Sequence, residues 1–202
     1  LRMFTLNCKG RLIKIEEPVV MGILNTSPDS FHAASRTKSV DDAVEKAKRM
    51  LEAGVTILDI GAQSTRPGSE NVGTETELER IIPVIEAISK AFPEAILSVD
   101  TFIGKVAKAA VMAGAAIVND ISGGLFDEQM LTIVAALKTP FISMHVRGSF
   151  NTMHQINPSS NCTLEVLDYF IERIAACNKL GIVDIILDPG FGFGKSIEEN
   201  FT

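Results

Sequence analysis

Tryptophan is absent from the 202 residues and tyrosine occurs once, against 11 phenylalanines, so the core has to be built from aliphatic and Phe side chains. Cysteine is scarce. Cys8, Cys162 and Cys177 form an odd, scattered set without a Cys-x-x-Cys pair, which argues against a disulfide frame or a zinc site and for reduced thiols. The three histidines, His32, His145 and His154, show no His-x-His or His-Glu-x-x-His pairing, which removes the common zinc patterns. Positive charge is in deficit: 19 Lys and Arg stand against 25 Asp and Glu, a net charge of −6, so no basic stripe is available to wrap nucleic acid. No apolar run reaches the roughly 18 residues of a membrane span. The opening Leu1–Gly10, with Arg2 and Lys9 around a short mixed stretch, is not a signal peptide's apolar segment. These absences leave the expectation of a soluble, cytoplasmic enzyme or binding domain, with neither nucleic acid nor membrane as partner.

What is present is ordinary globular composition, 46% hydrophobic and 22% charged. A chain of this length should bury about 70% of its unfolded surface. After a hairpin formed by Phe4–Asn7 and Arg11–Ile15 around Lys9-Gly10, short apolar strands alternate with helical stretches, the rhythm of a parallel sheet. Strands are predicted at Val19–Leu24, Thr56–Ile60, Ile96–Val99, Ile117–Asn119, Phe141–Met144 and Ile185–Leu187. Helices are predicted at Val40–Ala53, Glu75–Phe92, Ile103–Ala113, Glu128–Leu137 and Thr163–Leu180. In the first helix Val40, Ala43, Val44, Ala47, Met50 and Leu51 make one apolar stripe. Gly54, Gly114 and Gly181 each precede a strand and suit the left-handed residue that closes a helix.

Parallel strands need helices outside them, which leaves an open doubly wound sheet or a (βα)8 barrel. Both place ligands at the carboxyl ends of the strands. The strands here run into polar groups: Asn25, Asp59-Ile60-Gly61, Asp100, Asn119-Asp120 and Asp188-Pro189-Gly190. Polar ends that converge on one point favour the barrel, an α/β TIM barrel of which about six βα units are visible. The chain stops soon after Ser196-x-x-Glu199, which has the form of a capping box opening another helix. The expectation is therefore one barrel domain over residues 1–202, C-terminally incomplete, with strands 7 and 8 absent.

Those strand ends carry the chemistry. Asn25 offers a hard oxygen at a barrel mouth, and Mg²⁺ commonly takes one or two protein oxygens plus phosphate. Asp29 and Ser30, beside Pro28, read equally well as turn formers. The loop Gly61-Ala62-Gln63-Ser64-Thr65-Arg66-Pro67-Gly68 allows backbone N–H groups to approach an anion, and Arg66 adds a planar fork for phosphate or carboxylate. Asp100, Asn119 and Asp188 could together read the edge of a flat heterocycle such as a pterin or purine, because a carboxylate accepts two N–H groups and an amide gives and takes in one plane. Taken singly, Asp100 and Asp188 would also serve as helix caps or salt-bridge partners. Gly190-Phe191-Gly192-Phe193-Gly194-Lys195-Ser196 matches neither a P-loop, which needs Gly where Pro189 stands, nor the dinucleotide fingerprint, which needs Gly where Lys195 stands. Phe193 suits stacking on a ring or filling the core, and His145 a hydrogen-bonded place at the mouth.

Taken together, Met21–Phe31, Ser64-Thr65-Arg66-Pro67-Gly68, Ser98-Val99-Asp100-Thr101, Val118-Asn119-Asp120-Ile121, Met144-His145 and Asp188–Lys195 resemble dihydropteroate synthase, in that family's order and spacing through nearly the whole chain. The resemblance implies a pterin-binding (βα)8 barrel of folate synthesis. Such an enzyme joins 6-hydroxymethyl-7,8-dihydropterin diphosphate to p-aminobenzoate and releases diphosphate, with Mg²⁺ present. It implies that Asp100, Asn119 and Asp188 hold the pterin with Met144 beside it, and that Asn25 helps place Mg²⁺ and diphosphate. Thr65 and Arg66 match diphosphate and loop positions. Phe31, Pro67 and Phe193 match the p-aminobenzoate pocket where sulfonamides compete, and Lys195 belongs to the substrate-binding set. Asn25, Arg66, Asp100 and Asp188 are the residues implied in catalysis, and a homodimer is implied at full length.

The family often has Ser-Asp-Gly-Gly after Phe31, where this chain has His32-Ala33-Ala34-Ser35 and so lacks that loop's carboxylate. The family's strand-seven lysine and strand-eight Arg-x-His would be expected beyond Thr202, and neither is in this sequence. The 202 residues alone are therefore expected to be inactive or barely active. Two other readings share these residues: a pterin-domain methyltransferase using methyltetrahydrofolate, which would have no diphosphate for the Ser-Thr-Arg-Pro-Gly loop to hold, and a non-catalytic pterin-binding module.

Overall fold

A computed structural model describes residues 3–26, 36–62, 72–156 and 158–202. The predicted hairpin is β1 (Phe4–Cys8) and β2 (Arg11–Ile15), antiparallel from Phe4↔Ile15 to Cys8↔Arg11. Lys9 and Gly10 turn between them at φ of 54° and 81°. The alternation follows as β3 (Met21–Asn25), α1 (Arg36–Glu52), β4 (Ile57–Gly61), α2 (Thr74–Ala91), β5 (Ile96–Asp100), α3 (Gly104–Ala113) and β6 (Ile117–Asp120). It continues as α4 (Met130–Leu137), β7 (Phe141–Met144), α5 (Cys162–Lys179), β8 (Ile185–Asp188) and α6 (Ile197–Asn200). Each predicted element is present. β3, β4, β5, β6 and β8 each end one residue further than predicted, because the ladder carries through Asn25, Gly61, Asp100, Asp120 and Asp188. Gly54, Gly114 and Gly181 stop their helices with positive φ, as their positions suggested.

The six strands β3 to β8 are all parallel and pair strictly in chain order. A doubly wound sheet reverses its strand order at a switch point. No reversal occurs among these strands, so the fold is a TIM barrel with six of its βα units in this chain and an N-terminal hairpin.

Side chains alternate across each strand, and the two faces have different tasks. Leu24, Leu58, Ile60, Leu97, Val99, Val118 and Phe141 face outward against helix residues such as Ala43, Ala47, Ile85, Ile88, Val106 and Val134. Each Leu or Ile buried there contributes roughly 2 kcal/mol. Ile57, Ile96, Ile117 and Ile142 face inward and are sealed from below by Leu6 and Cys8 of the hairpin, which closes the N-terminal end. A third cluster, Phe102, Ile121, Met144, Val146 and Met153, roofs the other end around the loops after β5, β6 and β7. All three cysteines are buried free thiols. No helix among the described residues is long and apolar enough to cross a membrane.

Candidate functional site

Strand register builds the site. Asn25 pairs with Gly61, Gly61 with Asp100, Asp100 with Asn119, Asn119 with Ile142, and Ile142 with Ile186, one row across all six strands. Laterally paired residues point to the same face about 4.8 Å from strand to strand, and Ile142 marks this face as the barrel interior. Asn25, Asp100 and Asn119 therefore stand at one level on the inner wall. Two residues beyond Ile142 and Ile186, the pair Met144↔Asp188 lies one layer nearer the mouth on the same face. The three polar strand ends singled out from sequence, Asp100, Asn119 and Asp188, thus share the interior at the C-terminal mouth, with buried Met144 beside Asp188. Gly61 makes space for them: a Cβ there would stand 3.1 Å from Asp100 Oδ2.

One layer below, Asp59 is buried at 5% exposure and accepts a hydrogen bond from Asn119 Nδ2 at 3.0 Å. That bond turns the Asn119 carbonyl oxygen into its outward-facing group, so the wall presents acceptors. Burial raises the Asp59 carboxyl above the usual carboxylate range. Asp100 is raised further, by burial first and then by the negative charge of Asp59, Glu77 and Asp120. Glu77, on the first turn of α2 and 1% exposed, has no close hydrogen bond to either carboxylate oxygen among the described residues, and burial, offset in part by the nearby Thr101 hydroxyl, pushes it up to about 7. The group is electron-rich and short of cations, so an N–H-bearing or cationic ring edge is the ligand that would relieve it. Asp120 points the other way. Its carboxylate accepts from Ser122 N at 2.7 Å, Ser122 Oγ at 2.8 Å and Gly124 N at 2.9 Å, holding the turn after β6. Burial still lifts it to about 6.

The loop after β8 folds back over this mouth. Gly190 donates to Asp188 Oδ1 at 2.8 Å, and its φ of 67° brings its α-carbon against the His145 carbonyl, where no side chain fits. Lys195, 6% exposed, donates from Nζ to the Gly190 carbonyl at 3.0 Å, and burial lowers its pKa. Phe193 packs on the cluster containing Met144, its ring 5.3 Å from that of His154. The expected capping box is formed by Ser196 and Glu199 at the start of α6. His145 is lowered to about 4 by burial and by the nearby Lys195 charge, so it is neutral. Asn25 Oδ1 is buried without a hydrogen-bond partner among the described residues, a hard oxygen suited to a cation. Among the described residues no group of three His, Cys, Asp or Glu could hold a metal by itself. The sequence-predicted Phe31, Thr65, Arg66 and Pro67, with Asp29 and Ser30, lie outside the described residues.

Residues 21–202 match the family of pterin binding enzymes. The dihydropteroate synthase of Escherichia coli K12 is 42% identical over 196 residues, covering 96% of this chain and 69% of that one. The dihydropteroate synthase of Synechocystis is 43% identical over 185 residues, covering 91% and 64%. This chain belongs to the dihydropteroate synthase family. It spans about two thirds of the length of these relatives. Among solved structures, Xanthomonas albilineans dihydropteroate synthase with 4-aminobenzoic acid has a TM-score of 0.88 at 40% identity, covering 98% of this chain and 70% of that one. The Yersinia pestis dihydropteroate synthase with a sulfonamide drug has a TM-score of 0.89 at 36% identity, covering 98% and 72%.

Three residues of this dihydropteroate synthase relative escape sequence reading. Asp59 reads as one more polar strand end, although its place two residues before Gly61 puts it on the same face as Asp100. Tyr169, the single tyrosine, donates its hydroxyl to the carbonyls of Met144 at 2.7 Å and Ser122 at 3.0 Å, tying the β6 and β7 mouths together. Arg147 makes ion pairs with Glu165 and Glu199 from two different helices. No local signal announces either of these last two.

Proposed function

We propose that this protein is a dihydropteroate synthase, condensing 6-hydroxymethyl-7,8-dihydropterin diphosphate with p-aminobenzoate to give 7,8-dihydropteroate and diphosphate. The observation that carries the reading is the sharing of one inner face by Asp100, Asn119 and Asp188 in a chain of this family. Their acceptors match the amine and ring N–H edge of a pterin, with Met144 against its face. In the reaction the bond from the pterin methylene to diphosphate breaks, the arylamine nitrogen bonds to that carbon, and the amine gives up one proton. Cationic character on the pterin favours ionisation of the crowded acids around it, so Asp100 and Asp188 stabilise the charge as it develops. Arg66 and Thr65 take the diphosphate, while Phe31, Pro67, Phe193 and Lys195 form the p-aminobenzoate end, open to competition by sulfonamides.

The unpartnered Asn25 oxygen fits Mg²⁺, which Asn25 would hold together with the leaving group's phosphate oxygens. Bound there, Mg²⁺ would supply charge neutralisation for the departing diphosphate. The p-aminobenzoate amine attacks in its neutral form, so no strong base is needed, in keeping with a neutral His145. A single pterin-binding barrel domain across residues 1–202, a cytoplasmic location and a full-length homodimer belong to the same proposal. Incubating the full-length protein with dihydropterin diphosphate, p-aminobenzoate and Mg²⁺ should give dihydropteroate in equal amount with diphosphate. Pterin binding without any product would favour a non-catalytic module, and binding of methyltetrahydrofolate indifferent to Mg²⁺ and diphosphate would favour a methyltransferase.

A further inference from the structure

Arg147 stands three residues beyond β7, outside the row of residues that faces the pterin, and yet its side chain is only 9% exposed. Its Nε and Nη2 donate to Glu165 Oε1 at 2.8 Å and Oε2 at 2.9 Å, a two-point fork onto α5. Nη2 and Nη1 donate to Glu199 Oε1 at 2.9 Å and Oε2 at 3.1 Å, a second fork onto α6. Nη1 also donates to the Gly194 carbonyl at 2.9 Å. Five hydrogen bonds run from the guanidinium to described residues, and all three of its nitrogens take part. Glu199 in turn accepts from the backbone N–H of Ser159 and of Ser196, both at 2.8 Å. Its side chain is 10% exposed, and these bonds, Arg147 first, lower its pKa to about 2. One planar cation therefore joins the loop after β7, the N-terminal turn of α5 and both ends of the segment that leads from Gly194 into α6.

That segment is the one that carries Phe193 and Lys195. Gly194 sits at φ 64°, and a Cβ added there would stand 3.5 Å from Arg147 Cβ, so the loop passes the arginine where a side chain would crowd it. We propose that Arg147 is a positioning residue for the second substrate: it holds residues 189–196 so that Phe193 and Lys195 form a preset shelf for the arylamine, without acting on the pterin end of the site. This inference rests on the synthase reading above. Lysine cannot replace it, because an ammonium has one donor centre where two carboxylates and a carbonyl require a flat fork.

The test uses the full-length protein with Arg147→Gln, Arg147→Lys and, as a milder lesion, Glu199→Gln. Binding of dihydropterin diphosphate is measured calorimetrically, and kcat and KM for p-aminobenzoate at saturating pterin. The expected result is an unchanged pterin affinity with KM for p-aminobenzoate raised about tenfold or more in both Arg147 variants, and a smaller rise of the same kind in Glu199→Gln. Full function in Arg147→Lys, an unchanged KM, or equal losses for both substrates would overturn it. Amide hydrogen exchange across residues 189–196 separates this inference from the functional reading. If the protein makes no dihydropteroate, faster exchange confined to this segment in Arg147→Gln still supports the clamp, and unaltered exchange sinks it.

Discussion

Replacing Asp59 tests how the pterin wall is oriented. Its Oδ2 is the acceptor for Asn119 Nδ2 at 3.0 Å, and that bond decides which end of the amide faces the mouth. Asp59→Leu fills the space but removes the acceptor, leaving a buried amide N–H unpaired and the Asn119 carbonyl free to turn away. Losing a hydrogen bond to a buried polar partner costs about 1–3 kcal/mol, which is roughly a fivefold to hundredfold loss of pterin affinity. Asp59→Asn keeps an oxygen acceptor in place and removes one negative charge from beside Asp100, so it should retain most of the affinity. Calorimetric titration with a pterin, alongside thermal melting to show that both variants fold, reads the difference. Wild-type affinity in Asp59→Leu, or equal loss in both variants, would refute the idea that Asp59 acts by orienting Asn119.

Glu77→Gln should stabilise the protein at alkaline pH. The buried carboxyl, relieved only in part by the Thr101 hydroxyl, has its folded pKa raised from 4.5 to about 7, so folding holds its proton. The penalty for ionising it is absent below pH 4.5, grows as pH rises toward 7 and is complete above that. Removing it should gain up to about 3 kcal/mol at pH 8 and little near pH 4.5, seen as a pH-dependent difference in urea midpoints; the same difference at both pH values would contradict it. Gly190→Ala should cost at least about 1–2 kcal/mol from its left-handed backbone alone, with more from contact with the His145 carbonyl. An unaltered unfolding midpoint would contradict that geometry.

The strand–helix rhythm was legible because each parallel strand is a short apolar run between a helix-stopping glycine and a polar end. The polar residues that end those strands, where side chains alternate in face, also made the meeting of Asp100, Asn119 and Asp188 at one mouth an inference from pattern. The same alternation separates Asn119 from Asp120, which sequence treats as one polar pair: Asn119 faces the interior, while Asp120 turns outward to hold its own loop. What sequence hides is contact across distance. Asp59 reaches Asn119 across 60 positions and Arg147 reaches Glu199 across 52. Neither pairing leaves a periodic or local trace, because each is set by strand register and by loops folding back over the mouth.

The most direct measurement is a crystal structure of the full-length protein with dihydropterin diphosphate bound. The ring should lie in the barrel mouth, with its amine and N–H edge on Asp100, Asn119 and Asp188 and its diphosphate toward Asn25. A ring bound elsewhere, or held in the mouth without contact to those three side chains, would contradict the account.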